Sequence, residues 1–154
     1  EYRDRINRLF RRNRLSYKLT KDGKVIRIGP PVLKDVLERA EFCTEDKTLN
    51  ALLEAAREKF ADPNPDIRRD ALEKLWDAWE RLKTLESGDK KTSAQKILQS
   101  AVSEPTLLDK ISAEARELTK IGNEFRIRHS ETDKVEITEA EHIDYLFHRL
   151  FALV

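Results

Sequence analysis

The chain has no methionine and only one cysteine, Cys43, among its 154 residues. A single cysteine excludes an internal disulfide and a zinc site built on cysteines. Cys43 has no histidine near it in sequence and is expected to be a small apolar filler. Without methionine, Glu1 is not expected to be a natural start; a processed or trimmed chain, or a fragment lacking a further domain, is expected. Glycine (4) and proline (5) are scarce, which disfavours turn-rich sandwiches and barrels and collagen-like arrays. No apolar run approaches the roughly 20 residues that span a bilayer, and no charged-then-apolar signal segment opens the chain. No membrane partner is therefore expected, and a cytoplasmic location is.

What is abundant is charge: 38% of residues are Asp, Glu, Lys or Arg, against about 25% in an average soluble protein. At about 100 to 200 residues per domain the length fits one compact domain. Such a domain buries roughly 68 to 70% of its unfolded surface and needs no staple. The charge is unevenly placed. Residues 1–28 hold ten basic residues and three acidic ones, whereas the remainder holds 20 basic and 26 acidic. A basic arm on an acidic body is the electrostatic footprint of a nucleic-acid contact, with Arg3, Arg8, Arg11, Arg12 and Arg14 as the candidate RNA-binding residues. The same pattern fits an arm docking on an acidic partner protein, or a solvated helix face.

The fold class expected is mainly α: an irregular helical bundle (29–154) preceded by a basic helix and β-hairpin (1–28). Tyr2, Ile6, Leu9 and Phe10 follow helical spacing over 2–12, and this apolar stripe is expected to dock on the body. Leu15, Tyr17 and Leu19 alternate, Asp22-Gly23 supplies a turn, and Val25, Ile26 and Ile28 resume a β-rich run that Gly29-Pro30-Pro31 stops. Pro31 opens a helix with Val32, Leu33, Val36 and Leu37 as its stripe, and a second covers 47–60. Asn64-Pro65 starts a third and most apolar helix, on which Trp76 and Trp79 are expected to be buried. A weaker helix follows over 92–102, and a long one runs from Pro105 to about Phe125. Thr138 and Glu141 form a capping box for the last helix, whose end at Phe151–Val154 offers surface for a dimer if it is not core.

The densest polar cluster is Gly122 to Glu131, at the end of the long helix. His129 can move a proton near neutral pH, and Arg126 and Arg128 can neutralise charge developing on phosphorus, so these three are the candidate catalytic residues for phosphodiester chemistry. The same residues also fit a basic helix C-terminus with a capping histidine. Elsewhere, Asp144 and His148 stand at i, i+4 and fit a surface ion pair better than a metal site. The stretch Ser87-Gly88-Asp89-Lys90-Lys91-Thr92 lacks the first glycine and preceding strand of a phosphate loop. No metal and no cofactor are expected.

The helix carrying Asp77-Ala78-Trp79-Glu80-Arg81-Leu82-Lys83, the long helix ending in a basic loop with His129, and the apolar closing helix together resemble the HEPN superfamily. The nearest form is the abortive-infection C-terminal type of bacterial phage-defence proteins, and the resemblance covers roughly 15–154. It implies RNA as partner, metal-independent endoribonuclease activity, homodimerisation and a site built on an Arg-x(4 to 6)-His motif. His129 matches the motif histidine. The positions that would carry the arginine hold Glu124, Asn123 and Gly122, and the arginines present are Arg126 and Arg128. Glu80 and Lys83 resemble polar positions that the family turns toward the site, and they fit an exposed i, i+3 pair equally well. A non-catalytic module binding nucleic acid or protein is the other reading.

Overall fold

The computed structural model describes residues 2–28, 31–86 and 88–154, with the side chains of 31–34 left aside. Among these residues there are seven helices and one two-stranded antiparallel sheet: α1 (Tyr2–Arg12), β1 (Tyr17–Leu19), β2 (Val25–Arg27), α2 (Pro31–Arg39), α3 (Lys47–Phe60), α4 (Pro65–Leu82), α5 (Lys90–Ala101), α6 (Pro105–Glu124) and α7 (Ala140–Leu153). The mainly α architecture with an N-terminal hairpin is the one expected. The Gly29-Pro30 stop and Ser87 lie outside the described residues, as do the side chains of Val32 and Leu33.

Local chemistry explains most boundaries. Gly23 takes φ +85° in the hairpin turn, where a side chain would be strained. The hairpin pairs Tyr17 with Arg27 and Leu19 with Val25. The Asn64 side chain accepts from the Asp66 N–H at 3.0 Å, and Pro65 occupies the first helical position, where no backbone donor is required. Asp46 caps α3 through the Leu49 N–H at 2.7 Å and also receives Arg81 from the far end of α4 at 2.6 Å. Asp89 caps α5 through Thr92 N–H at 2.8 Å, so that helix starts at Lys90, ahead of the expected 92.

The core is organised round α4. Leu72, Leu75, Trp76 and Trp79 pack against Leu49, Leu53 and Phe60 of α3, Leu118 of α6, and Phe147 and Leu150 of α7. Trp76 and Trp79 are 2% and 1% exposed, as their spacing predicts. The Phe60 and Phe147 rings stack at 3.7 Å between centroids. Gly122 in the last turn of α6 is a requirement of this packing, because a Cβ there would overlap the Trp76 indole.

Three expectations are corrected. The Thr138–Glu141 capping box does not form: α7 begins at Ala140, its N-cap Glu139 makes no side-chain cap bond, and the Thr138 hydroxyl donates to the Glu139 carboxylate at 3.3 Å. Burial of Ile137 and a bond from Arg69 to the Ile137 carbonyl hold the chain extended to Glu139, so Thr138 sits one residue too early to cap. Helix α6, by contrast, ends at Glu124 with Phe125 as its C-cap, as expected, because Phe125 turns extended and bridges Val135 while Ile127 is drawn into the core. Cys43 is exposed, in the stretch between α2 and α3, and fills nothing. The apolar stripe of α1 packs on the hairpin and buries no residue; Phe10 meets Tyr17 edge-on at 6.2 Å, and Tyr2 stays 75% exposed. Asn7 joins the two by accepting from the Leu19 N–H at 2.7 Å and donating to its carbonyl at 3.0 Å.

Candidate functional site

The predicted cluster at 126–131 lies on a loop held by one face of α4. Residues spaced at i, i+3 and i+7 fall within about 60° of helical arc, so Asp70, Glu73 and Asp77 form an acidic ridge. Asp70 Oδ1 lies 3.0 Å from His129 Nε2, and Glu73 accepts the His129 backbone N–H at 3.2 Å. Asp77 receives both Nε (2.9 Å) and NH2 (2.8 Å) of Arg128. Glu131 takes NH1 of Arg128 at 3.2 Å and Lys134 at 2.8 Å. Arg126 donates to the His129 carbonyl at 2.9 Å and faces Glu136 at 3.6 Å. The loop therefore brings the three residues together in sequence but gives each its own partner.

These contacts settle what the loop offers a ligand. Burial works against ionisation of Asp70, yet hydrogen bonds from His129 and Lys59 outweigh it and hold the carboxyl below its ordinary value. Glu131 is likewise held low, against burial, by Lys134 and the Arg128 backbone. Arg128 is spent on carboxylates and Arg126 holds a carbonyl with its Nε left buried and unpaired, and a phosphate approaching His129 meets Asp70, itself paired with Lys59, and Glu73. The His129 ring itself is open, its side chain 56% exposed. A histidine paired with an ionised carboxylate has the parts of a proton acceptor.

The arm is electrostatically the opposite case. Arg5, Arg8, Arg11 and Arg12 span about 120° of α1, opposite Ile6 and Phe10. These four and Arg14 are exposed and have no ion-pair partner among the described residues. Arg3 differs, since it bonds Asp4 at 3.3 Å. In the body, Arg68, Arg81, Arg128 and Arg149 are each bound to a carboxylate. Arg14 adds a backbone signal. It takes φ 54° at the end of α1, where Leu15 N–H bonds the Phe10 carbonyl and Arg14 N–H that of Arg11. That closing turn favours glycine, and an arginine there is strained.

Two further predicted pairs resolve differently. Asp144 pairs with Arg27 (2.5 Å) and the buried Arg68 (2.9 Å), bolting the hairpin to α4 and α7, while His148 lies edge-on to Phe60 at 5.1 Å. Burial, followed by the Arg27 charge and against Asp144, lowers the His148 pKa. Among the described residues no group of three His, Cys, Asp or Glu could hold a metal ion, and no helix is long and apolar enough to cross a membrane. Glu80 and Lys83 are not an exposed pair: Lys83 is buried, bonded to Glu80 at 2.5 Å, beside a cleft between α4, α5 and α6 that the sequence reading missed. The signal was present, because Lys83 follows Trp76 and Trp79 at i+7 and i+4 and so lies within the apolar stripe.

Compared with known proteins, the chain matches no family model, no curated protein and no solved structure.

Proposed function

We propose that this chain is an RNA-binding module that uses the arginine face of α1 and Arg14 as its contact surface. The observation that carries the reading is the contrast in pairing: Arg5, Arg8, Arg11, Arg12 and Arg14 are exposed and without ion-pair partners among the described residues, whereas the body arginines named above already hold carboxylates. A free guanidinium gains a full charge-assisted, bidentate contact from a phosphate, and one already paired must first give up its partner. Strain at Arg14 points the same way, since strained residues cluster at functional sites. The HEPN resemblance supports RNA over DNA, and with it a cytoplasmic phage-defence role and a homodimer. Anisotropy titration of single-stranded RNA tests the binding: salt-sensitive association that falls on replacing these arginines is expected, and its absence at low salt refutes it. Sedimentation tests the dimer.

A second reading, a metal-independent endoribonuclease, is favoured by one observation, the open His129 ring 3.0 Å from Asp70. In this reading His129 takes the 2′-hydroxyl proton, the 2′-oxygen attacks the adjacent phosphorus to close a 2′,3′-cyclic phosphate, and the 5′-oxygen leaves with a proton from His129 or water, while Asp70 holds the ring and the arm holds RNA. Incubation with mixed RNA in EDTA tests it. Cleavage lost in His129→Ala at unchanged melting temperature supports the nuclease; intact RNA leaves the binding module alone.

A further inference from the structure

Between α4, α5 and α6 lies a cleft of about 750 Å³, within the range of small-molecule sites and lined by none of the arm residues. Its apolar lining includes Trp79, Leu98, Leu108 and Ala115. Its charged lining is mostly cationic: Lys83, Lys90, Lys91, Arg116 and Lys120 stand against two carboxylates, Glu80 and Asp109, and Lys120 is also held by Glu117 at 3.5 Å. Lys83 and Lys90 share the single carboxylate of Glu80, at 2.5 and 2.9 Å, which leaves one positive charge in excess. Lys91 and Arg116 have no ion-pair partner among the described residues. Apolar walls and surplus cations together point to one ligand chemistry.

We propose that this cleft binds a small organic anion, an aromatic or otherwise apolar body carrying an acidic group. The body lies against Ala94 and Leu108, above the buried Trp79 and Leu98, and the acidic oxygens face Arg116, Lys91 and the Lys83–Glu80–Lys90 group. Charge complementarity selects this occupant over a neutral one, because a neutral body would leave the surplus cations without a counter-charge in a half-enclosed space. The site is separate from the RNA reading and stands or falls without it.

The probe is 8-anilinonaphthalene-1-sulfonate, and its neutral analogue N-phenyl-1-naphthylamine is the control. Isothermal titration of the folded chain is expected to give one sulfonate bound per chain, with affinity at least about tenfold above the neutral analogue. Arg116→Glu and Lys91→Glu, both at exposed positions, should weaken the sulfonate about tenfold and leave the neutral analogue unaffected. Ser112→Trp should block both. Equal binding of the two probes, binding indifferent to the charge reversals, or many equivalent sites would overturn the proposal. So would a dimer in sedimentation that excludes the probe and that Ser112→Trp dissociates, since a second copy would then be the occupant.

Discussion

Replacing Gly122 with alanine isolates a single steric term. The new Cβ would overlap Nε1, Cε2 and Cζ2 of Trp76, and both residues are buried, so neither has room to retreat. Two effects oppose each other. Alanine is favoured over glycine inside a helix by about 1 kcal/mol. Overpacking a filled core costs about 1 to 3 kcal/mol, with the upper end applying where the neighbour is a rigid ring rather than a flexible chain end. The clash wins, and a net loss of about 1 to 2 kcal/mol follows. For a chain of this size that lowers the melting temperature by roughly 2 to 8 °C. Urea unfolding followed by tryptophan fluorescence reads the loss directly, since Trp76 is one of only two tryptophans. Gly88→Ala is the control, because nothing lies within 4 Å of its added Cβ. A Gly122→Ala chain as stable as the parent would refute the close approach of α6 to α4.

Three further outcomes follow from the same geometry. Asp144→Ala strips the 6%-exposed Arg68 of its carboxylate and should cost about 3 to 5 kcal/mol in urea unfolding, whereas a loss below about 1 kcal/mol would mean Arg68 is solvated after all. His148 has a lowered pKa in the fold, so the unfolded chain takes up its proton first as pH falls; the parent should lose stability below about pH 6.5, and His148→Phe should flatten that part of the profile. Identical profiles from about pH 7.5 to 5.5 would contradict its burial. Arg14→Gly should stabilise the chain by about 0.5 to 1 kcal/mol by relieving the left-handed backbone, while weakening RNA binding.

The residues differ in how far they could be understood without the fold. Asp22-Gly23, Pro31, Asn64-Pro65 and Pro105 act on their own backbone, so their turns and helix starts were legible in sequence. Thr138 and Glu141 carry an equally good local signal, but burial of Ile137 and the grip of Arg69 on its carbonyl move the helix start past them. Tertiary packing overrides a cap that contributes about 1 kcal/mol. The partners of the candidate site were hidden for a related reason. Arg126, Arg128 and His129 were visible as a polar cluster, but Arg128 is answered by Asp77 and His129 by Asp70 and Glu73, more than 50 residues earlier, while Arg126 faces Glu136. The ridge itself was readable from its i, i+3, i+7 spacing; its pairing with that loop depends on how α6 ends. The α4–α5–α6 cleft needed three helices to be placed before it existed at all.

The central claim is that the unpaired arginines of the arm hold RNA through its phosphates. It is tested most directly by the salt dependence of single-stranded RNA binding, measured by anisotropy for the parent and for an Arg5, Arg8, Arg12→Gln triple variant. Five phosphate contacts predict a logarithmic slope of about −3.5, and the loss of three predicts about −1.4. An unchanged slope in the triple variant, or no binding by the parent at low salt, would contradict the account.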